Sequence, residues 1–468
     1  MKKKQFAITP TRLENYAEWY LAVVKGADMA EHSSVRGCMI IKPWGYGIWE
    51  KIQFLLNEQI KLHKHQNVYF PLLIPLSSLE KEAEHIEGFA KECAVVTHSR
   101  LVKEKGRLVP DNKLEEPFII RPTSEMIIGE MMAKWISSYR DLPLLLNQWA
   151  NVMRWEMRPR LFLRTSEFLW QEGHTAHATT HEAHQHTLRM LYVYERFCID
   201  VLGIPVILGE KTENERFPGA VNTYTLEAMM QDGKALQCGT SHFLGQNFSK
   251  AMEICFTNNK GIREYVWTTS WGVTTRLIGA LIMTHSDDNG LIVPPRIAPL
   301  HVVIISFIPS GKQQEEILSY CEILQRELEK NLYHGDTIKV FQDRRDMTSG
   351  EKKWHWIKKG VPICVEIGPK EVSDNTITVF RRFPDIHSKE KISKENFIQI
   401  LLKMLDEIQN GLYDKACQFQ QDHMVHCKDQ KELYAFFQKG KKGFATAYFC
   451  GKVSIEKQLQ QDLSLIHI

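Results

Sequence analysis

At 468 residues, 43% hydrophobic and 25% charged, the chain has material for two or three globular domains with full cores, at ~150 residues per domain. Lys+Arg 59 against Asp+Glu 56 leaves a net charge of +3, which excludes a globally polybasic nucleic-acid binder, so any nucleic acid must meet a local patch. The ten cysteines stand singly with no CxxC pair, the MKKKQFAITP start has no apolar run behind it, and no stretch approaches the ~20 apolar residues of a membrane span. These features predict a cytoplasmic protein without a disulfide framework.

In chain order, residues 11–31 mix aromatic and charged side chains at helical spacing. Lys42–Gly47 (KPWGYG) reads as a turn, followed by a helix from Ile48 to about His65. Val68–Pro75 reads as a strand bracketed by Pro71 and Pro75. Lacking the N–H that a central ladder needs, it belongs at an intrachain edge or at a subunit interface. Residues 80–116 are charged and variable, a loop-rich excursion. Arg121–Glu125 (RPTSE) opens a Met-rich helix, with Thr123 or Ser124 available as its cap.

Two apolar strands are predicted next, Asn147–Glu156 and Phe162–Gln171, joined by a loop holding Arg158, Pro159 and Arg160. Arg154, Glu156 and Arg164 lie in or beside them. A buried guanidinium is costly unless it meets an acid or an anionic ligand. Arg154 and Arg164 therefore either face one anionic ligand or make strand-edge salt bridges with Glu156 and Glu167.

The five histidines of His174–His186 invite a zinc reading, but position 185 is Gln, so no HExxH is present. Thr179 with Glu182 makes a capping box for a helix to about Leu202, and a surface-facing helix start accounts better for these histidines. Short strands follow over 203–267, including Ala235–Leu244. Arg276 then stands just ahead of the apolar helix Ile278–Met283, a position that an anionic ligand in a cleft would compensate. No GxxxxGK[ST] occurs, so no nucleotide is held by a P-loop.

The proline-rich Leu291–Pro299 reads as a domain linker. Beyond it, strand His301–Ile308, a helix carrying Ile317, Cys321, Leu324 and Leu328, strand Thr337–Phe341, helix Gly350–Lys359, strands Val361–Ile367 and Thr376–Phe380, and helix Lys394–Ile408 alternate. This is an α/β domain with a mostly parallel sheet. Arg344, Arg345, Lys352, Lys353, Lys358, Lys359, Arg381 and Arg382, with Trp354 and Trp356 among them, form a candidate RNA footprint. The tail from about Gly411 is a smaller α/β piece, and residues 463–468 (LSLIHI) read as a non-native extension.

Taken together, the motifs resemble a known family. KPWGYGIWEKI with VYFPLLIP resembles the first motif of class II aminoacyl-tRNA synthetases, a dimer-interface element. RPTSE resembles a proline-pocket signature, and RWE through FLWQEGH the second motif, a hairpin over ATP. LQCGTSHFLGQNF and SWGVTTRLIGALIMTHSDDNGLIVPPR resemble a late pocket segment and the third motif. Five segments in this order resemble the prolyl-tRNA synthetases of archaeal and eukaryotic-like type. The resemblance implies an α/β chain: a class II catalytic domain built on an antiparallel sheet with flanking helices (1–290), an anticodon-binding α/β domain (300–405) and a small, truncated C-terminal α/β domain (410–462).

It further implies that L-proline is activated with ATP to prolyl-adenylate and passed to the 3′ end of tRNA(Pro). Arg154 would hold the ATP α-phosphate and the proline carboxylate, Glu156 the adenine amino group and Arg276 the γ-phosphate end. Arg164 and Thr165 would lie against the nucleotide, and Gln237 and Thr240 would contact ATP, with Gln237 near a Mg²⁺ carried by it. Thr123 and Glu125 would receive the imino nitrogen of proline, His242 would close the pocket, and Trp170 would wall the ring beside Glu172 and His174. Glu366 and Arg381 would meet anticodon bases, although Cys364 stands where the family usually has Arg.

A homodimer is implied as well. Too few residues separate the second and third motifs for an inserted editing domain, so correction falls to the pocket or to a separate trans-editing protein. Zinc is not expected. Cys450 matches the first of the family's four cysteines, but Ile455 stands at the second, and one thiolate cannot build a tetrahedral site. The competing readings are an inactive tRNA-binding paralogue, which would be expected to have lost Arg154, Glu125 or Arg276, and a class II synthetase for another small amino acid such as threonine.

Overall fold

The computed structural model describes residues 6–78, 92–307, 313–438 and 442–463. Its centre is a seven-stranded sheet in the order Gln66–Asn67, Leu144–Met153, Glu167–His177, Trp267–Thr274, Ala235–Gly245, Asn222–Met229, Val206–Glu210. All neighbours are antiparallel except the first pair. Helices Pro43–Leu62, Thr180–Asp200 and Arg276–His285 contribute to one apolar core, in which Ile48, Ile52, Leu56, Met190, Leu277, Ile278 and Leu281 are fully buried. The opposite face of the central strands is left to line a cleft.

Several local expectations need correction. KPWGYG is not a turn: the helix starts at Pro43, whose fixed φ and missing N–H suit the first helical position. Gly45 is required by packing instead, because a Cβ there would stand 2.5 Å from the Met29 carbonyl oxygen. Val68–Pro75 is not one strand. Only Gln66–Asn67 joins the large sheet, and Leu73–Pro75 pairs at the edge of a three-stranded sheet with Arg107–Ile120. The excursion expected at 80–116 is a long antiparallel hairpin, Ala94–Glu104 with Arg107–Ile120, turning at Lys105 (φ 48°) and Gly106 (φ 83°). Both of its faces are largely open to solvent, so no apolar period marked it as strand; residues 79–91 lie outside the described residues.

The histidine run also departs from expectation. Thr179 does accept a hydrogen bond from the Glu182 amide at the start of Thr180–Asp200. Yet His174, His177 and His186 are buried rather than surface-facing. His186 Nε2 lies 3.1 Å from His65 Nε2, and the His177 and His186 rings are 4.9 Å apart. Among the described residues no group of His, Cys, Asp and Glu has metal-binding geometry. Burial, reinforced by neighbouring cationic groups including Arg189, depresses His65 and His177 to about 4 and His186 to about 2.

In the unfolded chain these imidazoles take up protons near pH ~6.5, whereas the native ones stay neutral. Their contribution to stability is complete above that pH and is lost as pH falls from about 6.5 towards about 4. The melting temperature is therefore expected to fall between pH 7 and 5, and more shallowly in His186→Leu. Parallel pH profiles for parent and variant would contradict this.

The second body has a five-stranded sheet in the order Val340–Asp343, Val302–Ser306, Ile363–Ile367, Thr376–Arg381, Lys389–Ser393. The first three strands are parallel and the last two antiparallel. The helix expected to end at Ile408 runs from Lys394 to Asp422, straight through position 410. Leu291–Pro299 is packed rather than exposed, with Leu291, Val293 and Ile297 fully buried.

Two members of the basic footprint, Lys352 and Arg382, are buried, and others are paired with acidic groups. Arg382, 3% exposed, pairs with Asp287 and donates to the carbonyls of Gly290, Leu291 and Ile357. Lys352 is buried against the Asp343 carbonyl, Arg345 and the Trp356 indole both bond the Asp343 carboxylate, and Arg344 pairs with Glu322. Sequence spacing cannot reveal these acidic partners. Beyond Asp422, Met424–His426 pairs in parallel with Phe444–Thr446, flanked by helices Gln430–Gln438 and Val453–Leu463. Of the suspected extension, residues 464–468 lie outside the described residues.

Candidate active site

The hairpin is displaced from its expected bounds: its strands are Leu144–Met153 and Glu167–His177, and residues 154–166 form the tip. Glu156 and Phe162 are thus tip residues, the latter at φ 62°. Beneath the tip lies a cavity of about 410 Å³. Thr123, Glu125, Arg154, Glu156, Arg164, Thr165, Trp170, Glu172, His174, Gln237, Thr240, His242 and Arg276 all line it. Glu366 and Arg381 lie in the second body, paired with Lys389 and Glu407.

Two guanidiniums define the anionic end. Arg154 Nε donates to the Pro122 carbonyl at 2.8 Å, and its guanidinium carbon lies 5.9 and 5.5 Å from the Phe168 and Trp170 rings. Arg276 stands at the start of Arg276–His285, where its Nε donates to the Leu163 carbonyl at 3.1 Å. Burial depresses both from the ordinary arginine value; for Arg154, Glu125 and Glu172 oppose that effect and Arg276 adds to it. Among the described residues neither guanidinium is closed by a carboxylate ion pair. Arg164 is different: it pairs with Glu156, as the salt-bridge alternative anticipated. Burial would raise the Glu156 carboxyl, but the Arg158 amide and Arg164 hold it below its ordinary range. Arg154 has no such bond to Glu156 or Glu167.

The opposite end is a small polar pocket. RPTSE enters the helix Glu125–Trp135, but neither Thr123 nor Ser124 caps it with its side chain. Thr123 Oγ1 donates to the Glu125 carboxylate, and Ser124 Oγ donates to Glu172 Oε1 at 2.6 Å. Gln148 Nε2 donates to the same oxygen at 2.8 Å, while Glu172 Oε2 meets His174 Nε2 at 2.9 Å. Burial alone would neutralise this pair. The hydrogen bonds to Glu172 keep it ionised, and Glu172 and Glu125 raise His174 above its ordinary value.

His242 bonds Thr223 Oγ1 at 3.1 Å, and burial pushes it down to about 3, so its ring is neutral. Thr165 is held by the Glu167 carbonyl at 2.7 Å. Gln237 faces Glu227 across the Asn222–Met229/Ala235–Gly245 pair, beside Gly239.

The structure adds lining residues that sequence reasoning missed. Ser270 sits in register between His174 and His242, its buried hydroxyl unpartnered, as is the Trp170 indole N–H. Lys211, Arg216 and Phe217 cover the cleft from the segment after Val206–Glu210. Gly272 admits no side chain, since a Cβ would stand 2.9 Å from the Gln171 carbonyl oxygen. Only the basic pair Lys211 and Arg216 in an otherwise polar loop hinted at this face.

Residues 107–285 match the profile of the tRNA synthetase class II core domain (G, H, P, S and T), and residues 301–404 that of an anticodon binding domain. The chain is 55% identical over 465 residues to a proline–tRNA ligase of Protochlamydia amoebophila, covering 98% of this chain and 92% of that protein. It is 56% identical over 450 residues to one of Bdellovibrio bacteriovorus, covering 95% and 90%. Two structures of prolyl-tRNA synthetase from Cryptosporidium parvum, one complexed with halofuginone and AMPPNP and one with L-proline and AMP, superpose with TM-scores of 0.90 and 0.89. Each is 38% identical and covers 99% of this chain and 90% of the other. With a cleft of this composition on a class II core, the chain belongs to the prolyl-tRNA synthetase family.

Proposed function

We propose that the cleft binds ATP and L-proline side by side, joins them as prolyl-adenylate, and passes the prolyl group to tRNA(Pro). The observation that carries this reading is the convergence of two desolvated guanidiniums, Arg154 and Arg276, neither in an ion-pair contact among the described residues, on one cavity whose far end holds Glu125 and the Glu172–His174 pair. A triphosphate satisfies the first end, and a small zwitterion with a cationic nitrogen the second.

A proline carboxylate oxygen attacks the α-phosphorus, the bond to the β-phosphate bridging oxygen breaks, and pyrophosphate leaves. The 3′-terminal ribose hydroxyl then attacks the prolyl carbonyl and AMP departs. Charge builds on phosphate oxygens in the first step, so a planar donor fixed in place lowers the barrier without a protein nucleophile. Arg154 fits this task because its Nε is held by Pro122 while the fork stays available. Arg276 takes the terminal phosphates, Glu156 and Arg164 bracket the base, and Thr165 and Thr240 line the nucleotide. Thr123 and Glu125 receive the imino nitrogen, Trp170 walls the ring, and neutral His242 closes the pocket.

Gln237, which lines the cavity in register with Glu227 on the neighbouring strand, offers an amide oxygen to a hard cation that also binds phosphate oxygens. Mg²⁺ held there would neutralise phosphate charge. The second body, from residue 300 through the helix Lys394–Asp422, is assigned to the anticodon, with Glu366 and Arg381 as base contacts, and a smaller C-terminal piece follows that helix. Tyr69 and Leu73, 74% and 41% exposed, mark the seat of a second subunit, which a monomeric mass at micromolar concentration would remove. Rejection of alanine is left to the pocket or to a separate protein. No described helix is long and apolar enough to cross a membrane, in keeping with work in the cytoplasm.

The test is ATP–pyrophosphate exchange. Proline is expected to support it and threonine not. Exchange with threonine in place of proline would overturn the assignment, and exchange with neither would favour the inactive paralogue.

A further inference from the structure

Arg121 is among the largest fully buried side chains of the protein, 1% exposed, and it is not part of the cavity lining. Nothing in the mechanism above uses it. Its guanidinium has no carboxylate partner at ion-pair distance among the described residues. Nε donates to the Asn151 carbonyl at 2.8 Å, one terminal nitrogen to the carbonyls of Phe70 and Pro71 at 2.6 and 3.4 Å, and the other to Asn151 Oδ1 at 3.1 Å. The guanidinium carbon lies 6.0 Å from the Tyr69 ring centroid, and the Glu172 carboxylate acts on it without an ion-pair contact. A full charge buried without an ion-paired carboxylate is costly, and an apolar side chain would fill the same space more favourably. What the arrangement supplies is geometry: the planar fork ties the segment before the proline-pocket loop to the strand after it.

The main chain repeats the tie. The Arg121 amide donates to the Leu72 carbonyl at 2.9 Å, and the Met153 amide donates to the Arg121 carbonyl at 3.1 Å. The next residue, Pro122, has a fixed φ, so the anchored position is passed on stiffly. Its carbonyl is the group that accepts Arg154 Nε, and Thr123 and Glu125 follow at once. One buried fork therefore sits behind both the arginine aimed at the reacting carboxylate and the pair that receives the imino nitrogen. Apart from Arg154, the ATP-facing residues Arg276, Gln237 and Thr240 are carried by other strands and helices, without contact to it.

We propose that Arg121 is a positioning residue for the amino-acid half of the site, fixing the angle between Arg154 and the Thr123–Glu125 loop, so that its loss acts on the amino acid more than on ATP, whose base and terminal phosphates meet groups it does not hold. This rests on the reading of the cleft given above. The test is pyrophosphate exchange by Arg121→Lys, Arg121→Met and Asn151→Ala, with KM measured separately for the amino acid and for ATP, alongside melting curves. Lysine keeps the charge but cannot span two segments with one planar fork, so it is not expected to rescue. Asn151→Ala removes one acceptor while the arginine stays, and so remains informative if the Arg121 variants fail to fold.

The expected result is an amino-acid KM raised roughly tenfold or more in the Arg121 variants, and less in Asn151→Ala, with the ATP KM raised several-fold less than that of the amino acid. Equal changes in both KM values, or a lowered melting temperature with both unchanged, would reduce Arg121 to a core staple and overturn the proposal. Should threonine rather than proline support exchange in the parent, the substrate assignment fails. The same split measured with threonine still decides the role of Arg121.

Discussion

Arg154→Ala is expected to slow proline-dependent pyrophosphate exchange by about 10²-fold or more, the scale of losing one preorganised donor at a charge that develops in the transition state. The expectation follows from how the side chain is held. Its Nε is committed to Pro122 and its plane lies near the Phe168 and Trp170 rings, so the remaining N–H groups are oriented before substrate arrives. Orientation fixed in the folded enzyme need not be established again during the reaction. Alanine removes the charge and leaves Glu125 and Glu172 without the cation whose field they share. The loss should therefore appear in kcat as well as in KM for proline. A turnover number within threefold of the parent would remove Arg154 from the chemistry.

Glu125→Gln should act on proline rather than on ATP. The carboxylate lies at the floor of the polar pocket, accepts the Thr123 hydroxyl, and contributes to the raised pKa of His174. A glutamine keeps the shape but exchanges a charge-assisted hydrogen bond to the imino nitrogen for a neutral one. Charge-assisted bonds are worth ~1.5–3 kcal/mol against ~0.5–1.5 for neutral ones, so the exchange costs ~1–1.5 kcal/mol and kcat/KM for proline should fall by roughly 5- to 10-fold. KM for ATP should stay near the parent value. A fall shared equally between the two substrates would place Glu125 outside the amino-acid pocket.

Glu125→Gln also bears on the Glu172–His174 pair. His174 is held above its ordinary pKa by Glu172 and Glu125 together, against the burial that would depress it. With one carboxylate neutralised, the imidazolium is less supported, and its protonation should be lost at lower pH than in the parent. The pH profile of proline KM in the variant reports on that change.

Much of the site is legible in the chain because charge is expensive to bury. Arg154 just past an apolar strand and Arg276 at the head of an apolar helix stand out locally, whatever they later meet. Features that depend on a partner are not legible in the same way. Arg164 looked like Arg154 in the sequence, yet it is closed by Glu156 while Arg154 is not. Arg382 and Lys352 looked like an RNA-facing cluster, yet Asp287 and the Asp343 carbonyl take them inside. His177 and His186 looked like the exposed start of a helix, and they pack with His65 from a segment more than a hundred residues earlier.

Periodicity shows the same boundary. The helix Gln313–Leu328 and the strand Val302–Ser306 carry their burial in their own spacing, since one apolar face or one continuous apolar run suffices to specify them. The hairpin Ala94–Ile120 has no buried face along most of its length, so nothing in its residues distinguished it from a loop. The start of Pro43–Leu62 was misplaced because two glycines read as a turn, when at Gly45 the requirement is room for the Met29 carbonyl.

Residue types and their spacing thus established the inventory: which charges would need an anion, which segments alternate, and the family those motifs resemble. The assembly was settled by strand register, which places Ser270 between two histidines, sets Gln237 opposite Glu227, and brings Thr123, Arg154 and Arg276 to one cavity. The division has a physical cause. The cost of a buried charge and the period of an apolar face belong to a few neighbouring residues, whereas the compensation for that charge comes from groups distant in the chain, whose arrival depends on the packing of every element between.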